Sequence, residues 1–261
     1  MENRDLNALA ARAADLIVGS QKLVVFTGAG ISTESGIPDF RSPGGIWERF
    51  DPDDFTIDKF RSSPDSRRKQ WRILKEGLLT DKAAPNAAHI AVAELYRMGK
   101  LDCVITQNID NLHQKAGVPD DRVFELHGNM QFVLCLDCGR RYPLGDIKPR
   151  LDRGEEIPDC LECRGMLKPD IVMFGEQLPY DVLQEAGRRA MASDLFIVIG
   201  STLVVYPAAF MPLYAVEAGA GLIIVNLSAT PMDDRAAVVI RAKAGEAMSA
   251  VVAGVKERLG R

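Results

Sequence analysis

The sequence predicts an α/β protein, a parallel sheet with helices on both faces that carries a smaller unit formed by inserts. Three observations predict it. Short apolar runs rich in β-branched residues recur at 22–27, 103–106, 195–199 and 222–225. Helical patterns separate them, and strands alternating with helices favour parallel pairing through crossovers. Two stretches, 47–83 and 131–172, break this rhythm and read as excursions that leave the sheet and rejoin it.

Taken in order, Leu6, Leu9, Ala10, Ala13, Leu16 and Ile17 follow helical spacing, so 3–19 reads as an amphipathic helix closed by Gly19. The run 22–27 is a buried strand feeding a glycine turn. Residues 47–83 are charged and helix-like, and the adjacent Arg67, Arg68 and Lys69 read as a solvated helix face. Asn86 is placed to cap a helix ahead of the run at 103–106, and another helical pattern covers 180–192. The stretch 195–216 is uncharged for 22 residues, long enough by itself for a membrane span. Gly200, Ser201, Thr202, Pro207 and Pro212 interrupt it, so a buried strand, a polar turn and the start of a helix explain it better.

At 261 residues the chain fits one large α/β domain, or one such domain plus a small insert. The formal net charge of -4 offers no basic field, which argues against direct nucleic-acid binding. Met1-Glu2-Asn3-Arg4-Asp5 opens no apolar leader, so a soluble cytoplasmic protein is expected.

Cys135-Leu-Asp-Cys138 and Cys160-Leu-Glu-Cys163 are two C-x-x-C knuckles with 21 residues between them. Each knuckle offers two thiolates at a short bite, and four thiolates complete a tetrahedral Zn²⁺ site. Gly139 and Gly165 follow closely and permit the tight turns that aim backbone N–H groups at sulfur. A redox dithiol or a disulfide is the rival reading; paired knuckles without a secretory signal favour zinc. Such a site has no open position and is structural. Cys103 lies in an apolar run and reads as core.

Gly28-Ala29-Gly30 after a strand suggests a phosphate-binding turn whose following helix offers its N-terminus. Thr33 stands where a dinucleotide fingerprint has its third glycine, which argues against a hydride-transfer dehydrogenase. Ser35 to Arg41 then packs an acid, a ring and a cation beside the turn, although a Pro-rich loop with a surface ion pair has the same composition. Gln107-Asn108-Ile109-Asp110 ends a strand and can offer an amide and a carboxylate to ribose hydroxyls or a carboxamide; a helix cap at Asp110 is the alternative. His127 stands among small polar neighbours in Glu125-Leu126-His127-Gly128-Asn129, one of three histidines in the chain. His89 and His113 lie in helical contexts and read as structural. Turns of this kind beyond apolar runs are where a parallel sheet collects its ligand. Together they read as a nucleotide site carrying a base.

These residues resemble the sirtuins, NAD-dependent protein deacylases, of bacterial or archaeal type. The likeness runs in order from Gly28-Ala29-Gly30-Ile31-Ser32 and Pro38-Asp39-Phe40-Arg41 through Gln107–Asp110, His127-Gly128-Asn129 and the four cysteines. It continues through Phe174-Gly175-Glu176, Gly200-Ser201-Thr202 and Asn226-Leu227-Ser228. The resemblance implies a discontinuous Rossmann-like domain (1–46, 84–130 and 173–261) and a small domain (47–83 and 131–172), with NAD and acyl-lysine in the cleft between them. Gly28, Ala29, Gly30, Thr33, Asp39, Phe40, Arg41 and Trp47 would surround NAD. Gln107, Asn108, Ile109 and Asp110 would order nicotinamide and its ribose. Gly200, Ser201, Thr202, Asn226, Leu227 and Ser228 would face the adenosine side, closed by Lys243 and Ala244. His127 would be the general base, with Asn108 and Asp110 in the catalytic set. Val172, Phe174, Gly175 and Glu176 would run beside the substrate peptide as an added strand.

The same resemblance implies that NAD is consumed: the acyl oxygen attacks the anomeric carbon, nicotinamide leaves, and lysine and O-acyl-ADP-ribose are released. Sirtuins that prefer acidic acyl groups carry a Tyr-x-x-Arg pair in the segment matching about 60–76. Here Arg67, Arg68, Trp71 and Arg72 occur with no tyrosine between Trp47 and Leu95, so acetyl or longer apolar groups are expected. Ser42-Pro43-Gly44-Gly45 and Ser228-Ala229-Thr230 depart from the family pattern without removing a catalytic group. Protein ADP-ribosyl transfer, or non-catalytic sensing of NAD or ADP-ribose, are the alternatives.

Overall fold

A computed structural model describes residues 3–40, 42–76 and 83–261. Among them, six strands form a parallel sheet: β1 (Leu23–Thr27), β2 (Leu101–Thr106), β3 (Val123–Glu125), β7 (Leu195–Ile199), β8 (Gly221–Val225) and β9 (Val238–Ile240). Three more, β4 (Gly128–Cys135), β5 (Arg141–Pro143) and β6 (Leu167–Ile171), form a separate antiparallel sheet in the order β5-β4-β6.

The large sheet runs β3-β2-β1-β7-β8-β9. The chain winds outward from β1 in one direction and from β7 in the other, which makes the β1/β7 boundary the topological switch point. Strand alternation sends Leu23 and Val25 to one face and Val24 and Phe26 to the other. Helices Asn3–Gly19, Ala87–Arg97 and Ala244–Arg258 cover the first face. Helices Tyr180–Met191 and Met211–Glu217 cover the second. Such two-sided burial is why the strands read as continuous apolar runs.

Asn86 caps its helix as expected, its side chain accepting from Ala88 N at 2.9 Å. The uncharged stretch divides into β7, a turn and the helix Met211–Glu217, and no helix among the described residues is long and apolar enough to cross a membrane. The edge strands β3 and β9 are additions to the sequence reading; at three residues each they carry too little periodicity to stand out.

The helix Pro64–Lys75 and the three-stranded sheet share one core, in which Trp71 and Leu74 meet Val133, Ile147, Leu167 and the sulfur-bearing Cys135 and Cys160. The charged insert and the cysteine insert, distant in sequence, therefore build one body.

Candidate active site

Every strand of the large sheet ends in one of the turns singled out in the sequence. Gly28 follows β1, Gln107 follows β2, Gly200 follows β7 and Asn226 follows β8. His127 lies just beyond β3, and Lys243 with Ala244 just beyond β9. Parallel pairing puts all six turns on one edge of the sheet.

At the switch point the glycines fit one another. Gly28 N donates to Ile199 O at 3.1 Å and Gly30 N to Gly200 O at 2.9 Å. A Cβ on Gly30 would lie 2.8 Å from the Gly200 Cα, and one on Gly200, which has φ +64°, would lie 2.2 Å from Ile31 N. These glycines are required by the contact between the β1 and β7 turns. The expected helix N-terminus is not there: two 3-10 turns, Ala29–Ile31 and Thr33–Ser35, follow β1. Gly36 in the left-handed region and Pro38 stop a longer helix from forming.

Beyond β2 the polar side chains are committed to one another. The Asn108 amide donates to Gly28 O at 3.2 Å and to Ser32 Oγ at 3.1 Å. Ser32 Oγ donates to Asp110 Oδ2 at 2.7 Å, and Asp110 Oδ1 accepts from Leu112 N at 3.0 Å. Asp110 therefore bonds the first residue of a short helix and also faces the turn after β1. The Gln107 amide donates to Ser201 Oγ at 2.8 Å, joining the β2 and β7 turns. Met130 N donates to Ile109 O at 3.1 Å, tying this segment to β4. Ser32 was quoted within its motif but not assigned a role; its hydroxyl is the link between Asn108 and Asp110. Beneath it lies buried His89, with Nε2 3.5 Å from Ser32 Oγ and its ring centroid 5.1 Å from that of His113. Burial drives the His89 pKa down to about 4, opposed by the charge of Asp110.

His127 stands where the chain leaves β3 of the large sheet and enters β4 of the small one. Its Nδ1 is 2.9 Å from the Gln107 carbonyl, so Nδ1 carries the proton and Nε2 is the basic nitrogen. Burial lowers its pKa, with the Gln107 bond opposing, and the ring is neutral at pH 7. Gly128 has φ +77°, and a Cβ there would lie 2.2 Å from Asp170 O, so only glycine lets the histidine loop enter the small sheet at this point. Asn129 holds the loop by donating to Glu125.

Thr33 Oγ1 donates to Gly30 O, and Asp39 accepts from Ser42. Phe40, Trp47 and Phe174 form a chain of rings, with centroids 5.2 Å apart for the first pair and 5.8 Å for the second. Arg41 lies outside the described residues. Thr202 is half-buried beside Ser201, Asn226 donates to Ser228 O at 2.9 Å, and Leu227 is exposed. Lys243 is exposed at the start of the last helix and Ala244 is buried. Val172 N donates to His127 O at 2.8 Å. Phe174 exchanges backbone bonds with the 55–57 segment, accepting from Ile57 N and donating to Phe55 O, so its N–H, like that of Val172, is already paired within the chain.

The four knuckle sulfurs lie within 4.8 Å of one another, with Cys135 to Cys163 at 3.6 Å and Cys138 to Cys160 at 3.7 Å. Disulfides need roughly 2 Å. Zn–S bonds of about 2.3 Å in a tetrahedron place sulfurs roughly 3.8 Å apart, so the donor set fits Zn²⁺. Gly165 N points at Cys163 Sγ at 3.4 Å. Tyr142, unremarked in the sequence, places its hydroxyl 3.0 Å from Cys160 Sγ.

The Sir2 family model matches residues 28–207. NAD-dependent protein deacetylase 1 of Bradyrhizobium diazoefficiens is 45% identical over 251 residues, covering 95% of this chain and 97% of that protein. A structure solved to explain the mechanism and regulation of Sir2 enzymes superposes with a TM-score of 0.87 at 45% identity, covering 96% of this chain and 99% of that one. A Sir2 structure holding a p53 peptide and NAD+ has a TM-score of 0.82 at 42% identity, covering 94% and 96%. By sequence and by the arrangement of its six-stranded edge, the chain belongs to the Sir2 family.

Proposed function

We propose that this chain is a cytoplasmic NAD-dependent protein lysine deacylase, which passes the acyl group to ADP-ribose and releases nicotinamide. The observation that carries the proposal is His127, a neutral imidazole with Nδ1 bound to Gln107 O and Nε2 left basic at the junction of the two sheets. A neutral imidazole with an unprotonated Nε2 suits abstraction of a proton from a ribose hydroxyl at cellular pH. The relative solved with a p53 peptide and NAD+ supports both substrates here.

On this reading the domain of 1–46, 84–130 and 173–261 binds NAD, with 47–83 and 131–172 closing over it. Gln107, Asn108 and Asp110 orient the nicotinamide riboside, their side chains preset by Ser32 and Ser201. The β1 and β7 turns receive the phosphates, and Asn226, Ser228, Lys243 and Ala244 receive adenosine. Val172 and Gly175 offer backbone groups to the peptide. Cys135, Cys138, Cys160 and Cys163 hold Zn²⁺ away from the reacting atoms, and thiolates kept for metal suit a reducing compartment. Apolar acyl groups are favoured: Trp71 is buried in the small core, Arg67 donates to Phe60 O and Arg61 O, and Arg68 binds Asp65 and Glu156.

The test is nicotinamide release from NAD with an acetyl-lysine peptide, repeated with propionyl and succinyl peptides. His127→Ala is expected to lower the rate by about 10²- to 10⁴-fold without unfolding. Wild-type protein inert toward every peptide, or His127→Ala fully active, would overturn the proposal. Labelled NAD that marks a protein target in place of forming O-acyl-ADP-ribose would indicate ADP-ribosyl transfer instead.

A further inference from the structure

Lys168 is an anomaly of the small sheet, a lysine in β6 only 3% exposed. Its ammonium donates to the Ile171 carbonyl and to Glu176 Oε2, the latter at 2.9 Å. Glu176 Oε2 also accepts from Met173 N at 2.8 Å, and Glu176 N donates to Met173 O at 3.0 Å. The Glu176 carboxylate is thus folded back under the 171–176 segment. That segment wraps the ion pair, and Val172 N fastens it to the His127 carbonyl at 2.8 Å.

We infer that Lys168 and Glu176 are positioning residues: their buried ion pair sets the shape of the edge on which the acyl-peptide lies. The inference rests on the reading of 172–176 as the peptide edge and adds to it a determinant beneath the surface. A buried lysine needs its counter-charge, and the cost of separating the two keeps Glu176 in place. With that carboxylate held, Met173 N–H is satisfied internally and the turn presents Gly175, at φ +87°, to solvent. Lys168 cannot reach a bound peptide from its buried position, so it acts only through this geometry. Because Val172 is bonded to His127, the same pair also fixes the spacing between peptide edge and base.

The experiment compares Glu176→Gln, Glu176→Ala, Lys168→Met and the double variant Lys168→Met/Glu176→Gln with wild type, each checked for full zinc content. The double variant removes both charges together and so leaves none buried alone. The KM for acetyl-lysine peptide is expected to rise roughly ten- to a hundredfold, as displacement of a positioning edge does. The KM for NAD should stay within about twofold of wild type, and amide exchange across 171–177 should quicken while the knuckles remain protected. Lys168→Arg, keeping the charge, should restore most of the peptide affinity.

Equal rises in both KM values would show a general structural role and overturn the inference. So would a rise in Glu176→Ala with none in the Lys168 variants, which would mean that Glu176 touches the peptide directly. If wild type turns over no acyl-peptide, the deacylase reading fails separately. Amide exchange then decides the pair alone, and unchanged exchange at 171–177 overturns it.

Discussion

In β1 and β7 of the six-stranded sheet every residue is buried, whereas in β5 of the three-stranded sheet only the central Tyr142 is. The large sheet has apolar layers on both faces, supplied by five helices. The small one packs into a core whose members include Cys135 and Cys160 themselves. A core this small supplies little hydrophobic stabilisation, and small units of this kind lean on metals or ion pairs. One region is therefore held by burial and the other by specific polar and metal-binding groups, with His127 at the seam between them.

Removing the metal should separate the two regions most strongly. Structural Zn²⁺ sites contribute on the order of 10 kcal/mol to folding of the unit that holds them. Cys135→Ser, or chelation, should abolish zinc binding and open 131–172 to proteolysis while the large sheet keeps its circular dichroism. Simultaneous loss of both regions would show that they are not separately held.

Acid tests the opposite region. The His89 pKa is lowered to about 4 by burial, below an ordinary value of 6.5. A lowered folded value means that the unfolded chain binds the proton first, so stability is full above pH 6.5 and falls with pH down to about 4. His89 alone then costs about 2 kcal/mol between pH 7 and pH 5, readable as a shift in the urea midpoint. His89→Asn should remove this share of the dependence and leave that of His113 and His127, whose pKa values burial also lowers. A zinc content unaffected over the same range would confine the effect to the large region.

A smaller effect is expected at Tyr142. Removing its hydroxyl takes away a hydrogen bond to Cys160 Sγ and leaves the apolar contacts. Tyr142→Phe should weaken zinc binding roughly tenfold, since groups that bond a metal ligand typically govern affinity at that level. Competition with a chromogenic chelator measures it, and an affinity equal to wild type would show that the sulfurs alone set the site.

Much of the site was legible because its residues belong to strand-end turns. Once β1, β2, β7 and β8 are recognised, parallel pairing brings Gly28, Gln107, Gly200 and Asn226 to one edge with no further information. The zinc knuckles were legible for a similar reason, each being a complete local motif. Ser32, Tyr142 and the Lys168–Glu176 pair were not. A serine beside a glycine turn, a tyrosine in a short strand and a lysine in an apolar context have many ordinary roles. Only their distances to Asp110, Cys160 and Glu176 single them out. In the glycine turn, composition signals a close approach, and only the fold shows that the Gly200 backbone makes one.

The strand pattern, the metal-binding quartet and the polar turns could be read from the residues alone, because periodicity, ligand spacing and glycine content are local properties. Tertiary structure alone decided which nitrogen of His127 is basic, which backbone groups of 172–176 remain open and where the charge of Lys168 is neutralised. Each of those depends on atoms brought together from distant parts of the chain, and the energy of a buried polar group is set by whichever partner the fold places within hydrogen-bonding distance.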